Sequence, residues 1–398
     1  MIDLSHSLSP RKVAALLLLV GVTILLTGCW SAQEIEDLAF IMAMGVDTDP
    51  SGVRITYQLA LPAPGGQASG GQAGGQSPVW VTSLSAPSVA EAMLRLPVIL
   101  SKVPFTGHTL VVVMGEEYAR EGIGELLEYL ARDRQTRDRI RLTVAFGKAE
   151  DVLRAEPRVE AMPAEYLFNL LRRGEETGTI PPADLLGVRI AFANQPRLQI
   201  MLPAIQPAPD TANGKGTQTE AGDAPPASAI ELKGTAVFRG DKLAGFLDQR
   251  ESRGVAWLTA NLRMATVSIP REEGHIVQLA NYSSARFKAR KENGGYRLHA
   301  RVSQDGNLTA WPHPEAGITH ALLKQIEKDL AEVVADEIRS ALDALQHEFN
   351  ADIVGLGEQM RRLRPEYMAT LDWHRAFPAL IVEIEVVAAF RRIGLTLR

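Results

Sequence analysis

The sequence predicts an α+β protein with two unlike parts. In the first part, compact apolar runs alternate with segments of helical periodicity, which indicates an N-terminal α/β domain with a mixed sheet. In the second part, two hairpin signals precede one long amphipathic segment, which indicates a C-terminal α+β part with antiparallel hairpins and a long helix. A stretch rich in Pro, Gly, Ala and Thr, residues 206–228, separates the two parts.

The strands and helices of the first part follow from local patterns. Apolar runs of strand length predict buried strands over Ile41–Val46, His108–Met114 and Ile140–Phe146. Helices are predicted where caps and periodicity agree: from the capping box at Ser88 through Leu96, over Gly124–Arg132, and from Pro163 to Arg173. Two further strand-like runs, Arg54–Leu59 and Val79–Thr82, flank the Gly/Gln/Ser-rich segment 63–77, which predicts a disordered loop.

The second part opens with a hairpin, Thr235–Phe238 and Leu243–Leu247, around a turn that contains Gly240. The turn dipeptide Asn293-Gly294 predicts a second hairpin from Arg286 to Val302. A stripe of apolar residues from Leu322 to Phe349 predicts one long helix, and Ile381–Val387 predicts a final strand.

These patterns predict four regions along the chain. Residues 1–28 form a signal peptide, and 29–205 form an N-terminal domain that carries the 63–77 loop. Residues 206–228 form a linker between domains. Residues 229–398 form the C-terminal region, with room for two subdomains that divide near 275.

The N-terminal segment points to export. Arg11 and Lys12 precede an uncharged apolar run, Val13–Leu26, that is short for a membrane-spanning helix, since such a helix needs about 20 apolar residues. Leu26–Cys29, which reads LTGC, resembles the lipobox of bacterial lipoproteins. The resemblance implies cleavage between Gly28 and Cys29, an S-diacylglycerol group on Cys29, and acylation of the new amino group as an option. The alternative is an ordinary buried thiol at the end of an anchor helix.

Composition excludes several classes of protein. Without residues 1–28, which hold one acidic and two basic side chains, the chain has 40 basic and 46 acidic residues. This mildly acidic balance offers no footprint for nucleic acid. Cys29 is the single cysteine, so stability has to come from packed cores and not from disulfides.

No catalytic or metal-binding signature is present in the sequence. His347-Glu348 begins like a zinc-protease motif, but Ala351 stands where the second histidine is needed. Neither a Gly-x-Ser-x-Gly elbow nor a phosphate-binding glycine loop occurs. We therefore predict no catalytic residue, no metal and no cofactor.

Three other features have both a functional and a structural interpretation. His108, after Gly107, could contact a ligand or could hydrogen-bond to local backbone, and the structural interpretation is favoured. Asp352, Gly355 and Gly357 are interpreted as capping and positive-φ positions that end the long helix. Arg239-Gly240-Asp241 spells an integrin-type tripeptide but sits at a hairpin turn, which favours turn chemistry.

Several motifs, in order, resemble the Ger(x)C family, the lipoprotein C subunits of bacterial spore germinant receptors. Cys29-Trp30 is followed by EIEDL and a strand, and Phe105–Gly122 (FTGHTLVVVMGEEYAREG) is similar to the family's glycine-histidine strand and following helix start. Gly234–Phe246 (GTAVFRGDKLAGF) is similar to its hairpin. The C-terminal signature is matched by Ala351–Gly357, Pro365, Trp373 and Phe377.

The resemblance implies a subunit that works in nutrient-triggered spore germination beside integral membrane A-type and B-type receptor subunits. It implies a lipid anchor through Cys29 at the extracytoplasmic face of the spore inner membrane, and no established catalysis. The alternative is a solute-binding lipoprotein of an importer, although the two unlike parts do not suggest two similar lobes. A cell-wall enzyme would need a nucleophile or paired acids, which the sequence does not offer.

Overall fold

The computed structural model describes the following residues: 10–11, 14–16, 19, 34, 37–60, 79–155, 157, 160, 162–209, 228–259, 262–292, 295–312 and 318–392. Two units, Met1–Leu38 and Ala39–Arg398, are separable by their contacts. In the first unit, the Asp37 amide donates to the Glu34 carbonyl at 3.0 Å. Among the helices in the described ranges, none is both long and apolar enough to cross a bilayer. The second unit contains all of the architecture below.

A nine-stranded mixed sheet forms the first layer of the second unit. Its strands are β1 (Leu38–Asp49), β2 (Gly52–Ala60), β3 (Val79–Ala86), β4 (Val103–Phe105), β5 (Val111–Gly115), β6 (Arg141–Ala145), β7 (Met201–Pro209), β8 (Ser228–Arg239) and β9 (Lys242–Leu247). They lie in the order β3-β2-β1-β5-β6-β7-β8-β9, with β4 paired to β1. The four central strands β1, β5, β6 and β7 are parallel, and the flanking pairs are antiparallel. The predicted mixed sheet is confirmed.

Helices cover both faces of this sheet: α1 (Val89–Ile99), α2 (Glu116–Glu121), α3 (Gly124–Arg132), α4 (Ala149–Leu153), α5 (Pro163–Thr177) and α6 (Leu185–Ala193). Alternate residues of the central strands face opposite cores, so that Val112 packs with α1, α3 and α6, whereas Val113 packs with α4 and α5. Burial on both faces explains the uninterrupted apolar runs. The Ser88 side chain accepts from the Glu91 amide at 3.1 Å, as the capping box predicts.

The first sheet continues across the predicted linker. β7 extends to Pro209, β8 begins at Ser228, and the two strands pair antiparallel from Met201↔Val237 to Pro209↔Ser228. The hairpin after the linker therefore belongs to the first sheet, and the expected separation of two domains at 206–228 does not match this pairing. The reason is that a polar insertion between two strands looks, in sequence, like a boundary between domains. Residues 210–227, like the predicted loop 63–77, lie outside the described residues.

A four-stranded sheet with one long helix follows. Its strands, in spatial order, are β10 (Ala265–Arg271), β11 (Gly274–Glu292), β12 (Gly295–Ala310) and β13 (Val382–Arg392). The first three are antiparallel, and β13 joins β12 in parallel. Helices α7 (Gln249–Thr259) and α8 (His320–Asp343) share a core with this sheet. Position 275, where the sequence leaves room for a division into two subdomains, lies next to the β10–β11 turn, at which Arg271 pairs with Gly274.

The long helix changes its hydrogen bonding before it ends. α8 continues into a π-helical turn, Ala344–Phe349, and Asn350 then adopts a left-handed conformation with φ 47°. The predicted helical stripe to Phe349 is thus confirmed, with a wider last turn. Short helices follow: α9 (Leu356–Leu363), α10 (Pro365–Ala369), α11 (Trp373–Ala376) and a 3₁₀ turn, Phe377–Ala379.

A buried carboxylate joins α7 to α8. Glu337 on α8 is 2 % exposed and accepts from Trp257 Nε1 at 2.8 Å and from Arg253 Nε at 3.0 Å, both on α7. Gly254 lies directly against the Glu337 backbone, where a Cβ atom would clash. The close helix approach therefore depends on a glycine and on a satisfied buried charge.

We expect Glu337→Ala to lower the free energy of unfolding by about 3 kcal/mol, because the Trp257 N–H and the Arg253 guanidinium lose their shared acceptor. The matched control is Glu332→Ala on the same helix, since Glu332 pairs with Arg339 at the surface and should contribute less than about 1 kcal/mol. Urea unfolding of both variants measures the difference. Equal losses would show that the buried carboxylate has no special role.

Candidate functional site

The main cleft lies where the parallel strands end. Ligands of open α/β sheets bind outside the carboxyl ends of the strands, so this edge is the first place to examine. A cleft of about 760 Å³ lies there, between Asp47–Pro50 after β1, the start of α2, and Gly147-Lys148 after β6. Its lining is rich in charged side chains, chiefly Asp49, Glu116, Glu117, Arg120, Glu121 and Lys148.

Asp47, the most buried acid of this cleft, serves the backbone. Its carboxylate accepts from the amides of Ala149 at 2.7 Å and Glu150 at 3.0 Å, which are the first residues of α4. Burial raises the pKa of Asp47, against the lowering effect of those two hydrogen bonds. Gly115 lies so close that any Cβ atom there would strike the carboxylate. Asp47 therefore holds β1, β5 and α4 together and is not free for proton transfer.

Three other acids of the cleft, Asp49, Glu116 and Glu117, also have partners. Hydrogen bonds from Ser51 lower the pKa of Asp49 to about 2. A hydrogen bond from Arg54 lowers the pKa of Glu150, behind the cleft, to about 2. Thr48 donates to Glu117 at 2.7 Å, and Arg120 pairs with Glu116 at 2.8 Å.

These contacts engage Asp47, Asp49, Glu116 and Glu117, four of the five acids that line the cleft. Within the described ranges, the structure holds no group of three or more His, Cys, Asp or Glu side chains arranged to bind a metal ion. The described part of the cleft is thus a charged surface whose acids mostly have structural partners.

A second buried acid organises the C-terminal helices. Asp352 is 2 % exposed and accepts from the amides of Gly355, Leu356 and Gly357 at 2.7–2.9 Å and from Trp373 Nε1 at 3.1 Å. The expectation that Asp352 ends the long helix is wrong, because its carboxylate caps the start of α9.

The two glycines of this motif have different roles. Gly355 has φ 80°, as predicted for a positive-φ position. Gly357 instead makes room for the Trp373 ring, which a Cβ atom would strike. Asn350, which the sequence did not single out, is the left-handed residue that follows the long helix.

His108 makes ring contacts at the start of the parallel strand that follows it. His108 is exposed and packs its ring against Phe40 and Phe105, with centroids 5.2 and 5.5 Å apart. Among the described residues it has no hydrogen bond, so the expected bond to local backbone is wrong, and Gly107 instead accommodates the Phe105 ring.

Gly240, at φ 70°, forms the hairpin turn, and the Asp241 carbonyl accepts from the Ile123 amide, which confirms turn chemistry.

Apolar side chains are exposed where β1 begins, around β4. Leu94 and Val98 on α1 are 78 % and 85 % exposed, and Ile99 and Val103 follow at about half exposure. We call Leu94, Val98, Ile99, Val103 and His108 the amino-edge surface. Leu94 and Val98 lie four residues apart on one face of α1, and exposed apolar patches are typical of sites that bind proteins or membranes. In the sequence, the signal for this surface was the apolar outer face of the helix that the capping box at Ser88 predicts. Cys29, the predicted lipid-attachment residue, lies outside the described residues.

The pKa of Asp352 yields a test. Burial raises this pKa from 3.8 to about 6 in the folded chain, so the folded state binds the proton more tightly than the unfolded state. Its contribution to the free energy of unfolding should therefore fall as pH rises from about 4 to about 6.

We expect Asp352→Asn to remove this pH-dependent component and to lower stability by about 2 kcal/mol, since an amide cannot accept from all four donors. Denaturant unfolding between pH 4 and pH 7 measures both effects. Glu348→Gln, an exposed acid before the same loop, is the control. An unchanged pH profile in Asp352→Asn would contradict the assignment.

Known proteins resemble this chain from end to end. Residues 31–207 match the family described as "Spore germination protein N-terminal domain", and residues 233–394 match "Spore germination B3/GerAC like, C-terminal". The chain is 26 % identical to "Spore germination protein KC" of Bacillus subtilis (strain 168), over 97 % of each chain. It is 26 % identical to "Spore germination protein B3" of the same organism, over 88 % of this chain and 89 % of that one.

A solved structure shares the fold. The crystal structure of the GerBC protein superposes with a TM-score of 0.56 at 19 % identity, over 90 % of this chain and all of that chain. The two family matches together cover both sheets. The chain belongs to the GerAC-like family of spore germination proteins.

Proposed function

We propose that this chain is the lipid-anchored, extracytoplasmic C subunit of a nutrient germinant receptor, and that it acts as a non-catalytic interaction module. The observation that carries the proposal is that residues 31–207 and 233–394 match the N-terminal and C-terminal families of spore germination proteins, in that order. The motif Leu26–Cys29, which resembles a lipobox, supports attachment at the extracytoplasmic face of the spore inner membrane.

The contacts of the acids support a role without catalysis. Asp47 and Asp352, the two most enclosed carboxylates near the cleft and the C-terminal helices, both accept from backbone N–H groups, two and three respectively. Carboxylates held in this way stabilise the fold by capping the starts of helices. The rival importer protein would need a ligand cleft between two similar lobes, whereas the two sheets here have nine and four strands.

Interaction with integral membrane A-type and B-type subunits is part of the proposal. Leu38, at the start of β1, is nine positions after Cys29, and a chain of that length reaches about 30 Å when extended. Anchoring would thus keep the amino-edge surface near the bilayer, where membrane subunits expose their outer loops. Confinement raises the effective concentration of both surfaces, so weak apolar contacts suffice for docking.

The anchor is tested with Cys29→Ala, which should abolish acylation and shift the protein from the membrane to the soluble or uncleaved fraction, since one nucleophilic sulfur carries the lipid. Mass spectrometry of the N-terminal peptide reads acylation directly, and Ser31→Ala is the control. A diacylated Cys29→Ala product would refute the lipid site. Normal germination by an unanchored chain would refute the need for tethering.

The docking surface is tested with Leu94→Glu and Val98→Glu. Both side chains are exposed, so stability should change by less than about 0.5 kcal/mol. Co-purification with the membrane subunits and the germination rate should fall. Leu322→Glu, which changes an exposed leucine on α8, is the matched control. If all three variants behave like the parent chain, partners do not dock on the amino-edge surface.

A further inference from the structure

The outer face of the second sheet concentrates positive charge. Along β11, Ala285, Phe287 and Ala289 face the core formed with α8, and the intervening residues Arg286, Lys288 and Arg290 are exposed on the other face. On β12, Arg301 lies on the same outer face, and Glu385 of β13 borders it. Together they line a groove of about 530 Å³, which we call the basic groove.

The strand register places basic side chains opposite basic side chains in the basic groove. Arg286 pairs across the strands with Arg301, Lys288 with His299, and Arg290 with Arg297. Like charges directly opposite each other destabilise a sheet. Of the three outward pairs, Arg286–Arg301 sets two permanent cations opposite each other with Glu385 beside Arg301, whereas Arg297 has both Glu292 and Glu383 as partners.

Carboxylates on both sides pair with the basic residues of β12. Glu292, at the end of β11, pairs with Arg297 at 2.7 Å. Glu383 on β13 pairs with Arg297 at 2.5 Å, and Glu385 pairs with His299 at 3.3 Å and with Arg301 at 3.4 Å. No carboxylate of the described residues lies within ion-pair distance of Arg286, Lys288 or Arg290. The groove has four permanent cations and one carboxylate, a net charge of +3, in a chain whose overall charge is −5.

Protection of a sheet edge is a simpler explanation for exposed charges. β10 pairs with β11 only as far as Ala280, so the rest of β11 is an edge with β12 as its sole neighbouring strand in the described part of the sheet. Edge protection accounts for single charges but not for opposed arginines. It also does not account for the hydroxyl groups of Tyr282, Ser284 and Ser303, which line the same groove.

We propose that the basic groove binds a phosphate-bearing ligand. Three cations spaced two residues apart on β11 span about 14 Å, and Arg301 lies across from the first of them. A phosphate group carries up to two negative charges and several acceptor oxygens, so it can accept from Arg and Lys donors and from hydroxyls at once. Its binding would offset the repulsion between the opposed cations.

The same chemistry could come from an anionic lipid headgroup or from a soluble phosphate ester. The groove is present whether or not Cys29 is acylated, so this inference and the proposed anchor can fail separately. The full chain in neutral-detergent micelles is titrated in parallel with inorganic pyrophosphate and with phosphatidylglycerol added to the micelles. Phosphatidylcholine micelles and a poly-glutamate peptide are the comparison ligands. Calorimetry measures each affinity.

We expect saturable binding in at least one phosphate arm, with about fivefold weaker affinity for each of Arg286→Gln and Lys288→Gln, the factor that corresponds to about 1 kcal/mol per lost cation. Lys291→Gln is the matched control, because Lys291 is an exposed cation on the same strand but on the opposite face. It should leave the affinity unchanged. Melting temperatures confirm that every variant is folded.

Each outcome decides the proposal. Pyrophosphate binding alone identifies a soluble phosphate ester, and phosphatidylglycerol binding alone identifies a headgroup. The proposal is overturned if neither arm binds, or if Lys291→Gln weakens binding as much as Lys288→Gln. Tighter binding of poly-glutamate than of either phosphate ligand would also overturn it, in favour of an acidic protein segment.

Discussion

The antiparallel pairing of β7 with β8 is the interaction on which the rest of the architecture depends. On its other side β7 is parallel to β6, so this single strand links the parallel centre of the first sheet to everything after residue 228. Gly234 in β8 lies against the Leu247 carbonyl, where no Cβ atom fits, and Thr235 bonds to Ser252 of α7 at 2.8 Å. Through these contacts the first sheet positions α7, and Glu337 then fixes α8 on α7.

Local signals predicted most of the elements, and non-local ones were missed. Ser88, the Gly124–Arg132 helix, the hairpin around Gly240 and the long apolar stripe to Phe349 all encode their structure within a few residues. The β7–β8 ladder has no such signal, because the 18 residues between Pro209 and Ser228 say nothing about which strands become neighbours. Composition alone therefore suggested a linker between domains where the chain in fact returns to its own sheet.

The candidate sites show the same division. Asp352 was recognised as a cap from its glycine neighbours, but the helix it serves could be identified only from its four donors. The basic groove left a usable trace in the sequence: cations at alternate positions 286, 288 and 290, and the dipeptide Asn293-Gly294, which predicts a hairpin. The strand register then sets residue 301 opposite residue 286. The ion pairs that Glu383 and Glu385 make with β12 left no trace in the sequence. β13 becomes a neighbour of β12 only through tertiary structure.

The parallel pairing of β13 with β12 has a consequence for biogenesis. Leu298 lies beside Val382, so β12 gains this neighbour only after all of α8 to α11 has been made. During synthesis, one edge of β12 would stay unpaired until then, and contacts between distant segments form slowly. A chain that stops before residue 382 would keep that edge, which is a template for aggregation. The second sheet therefore gains its fourth strand only once residues 382–392 have been synthesised.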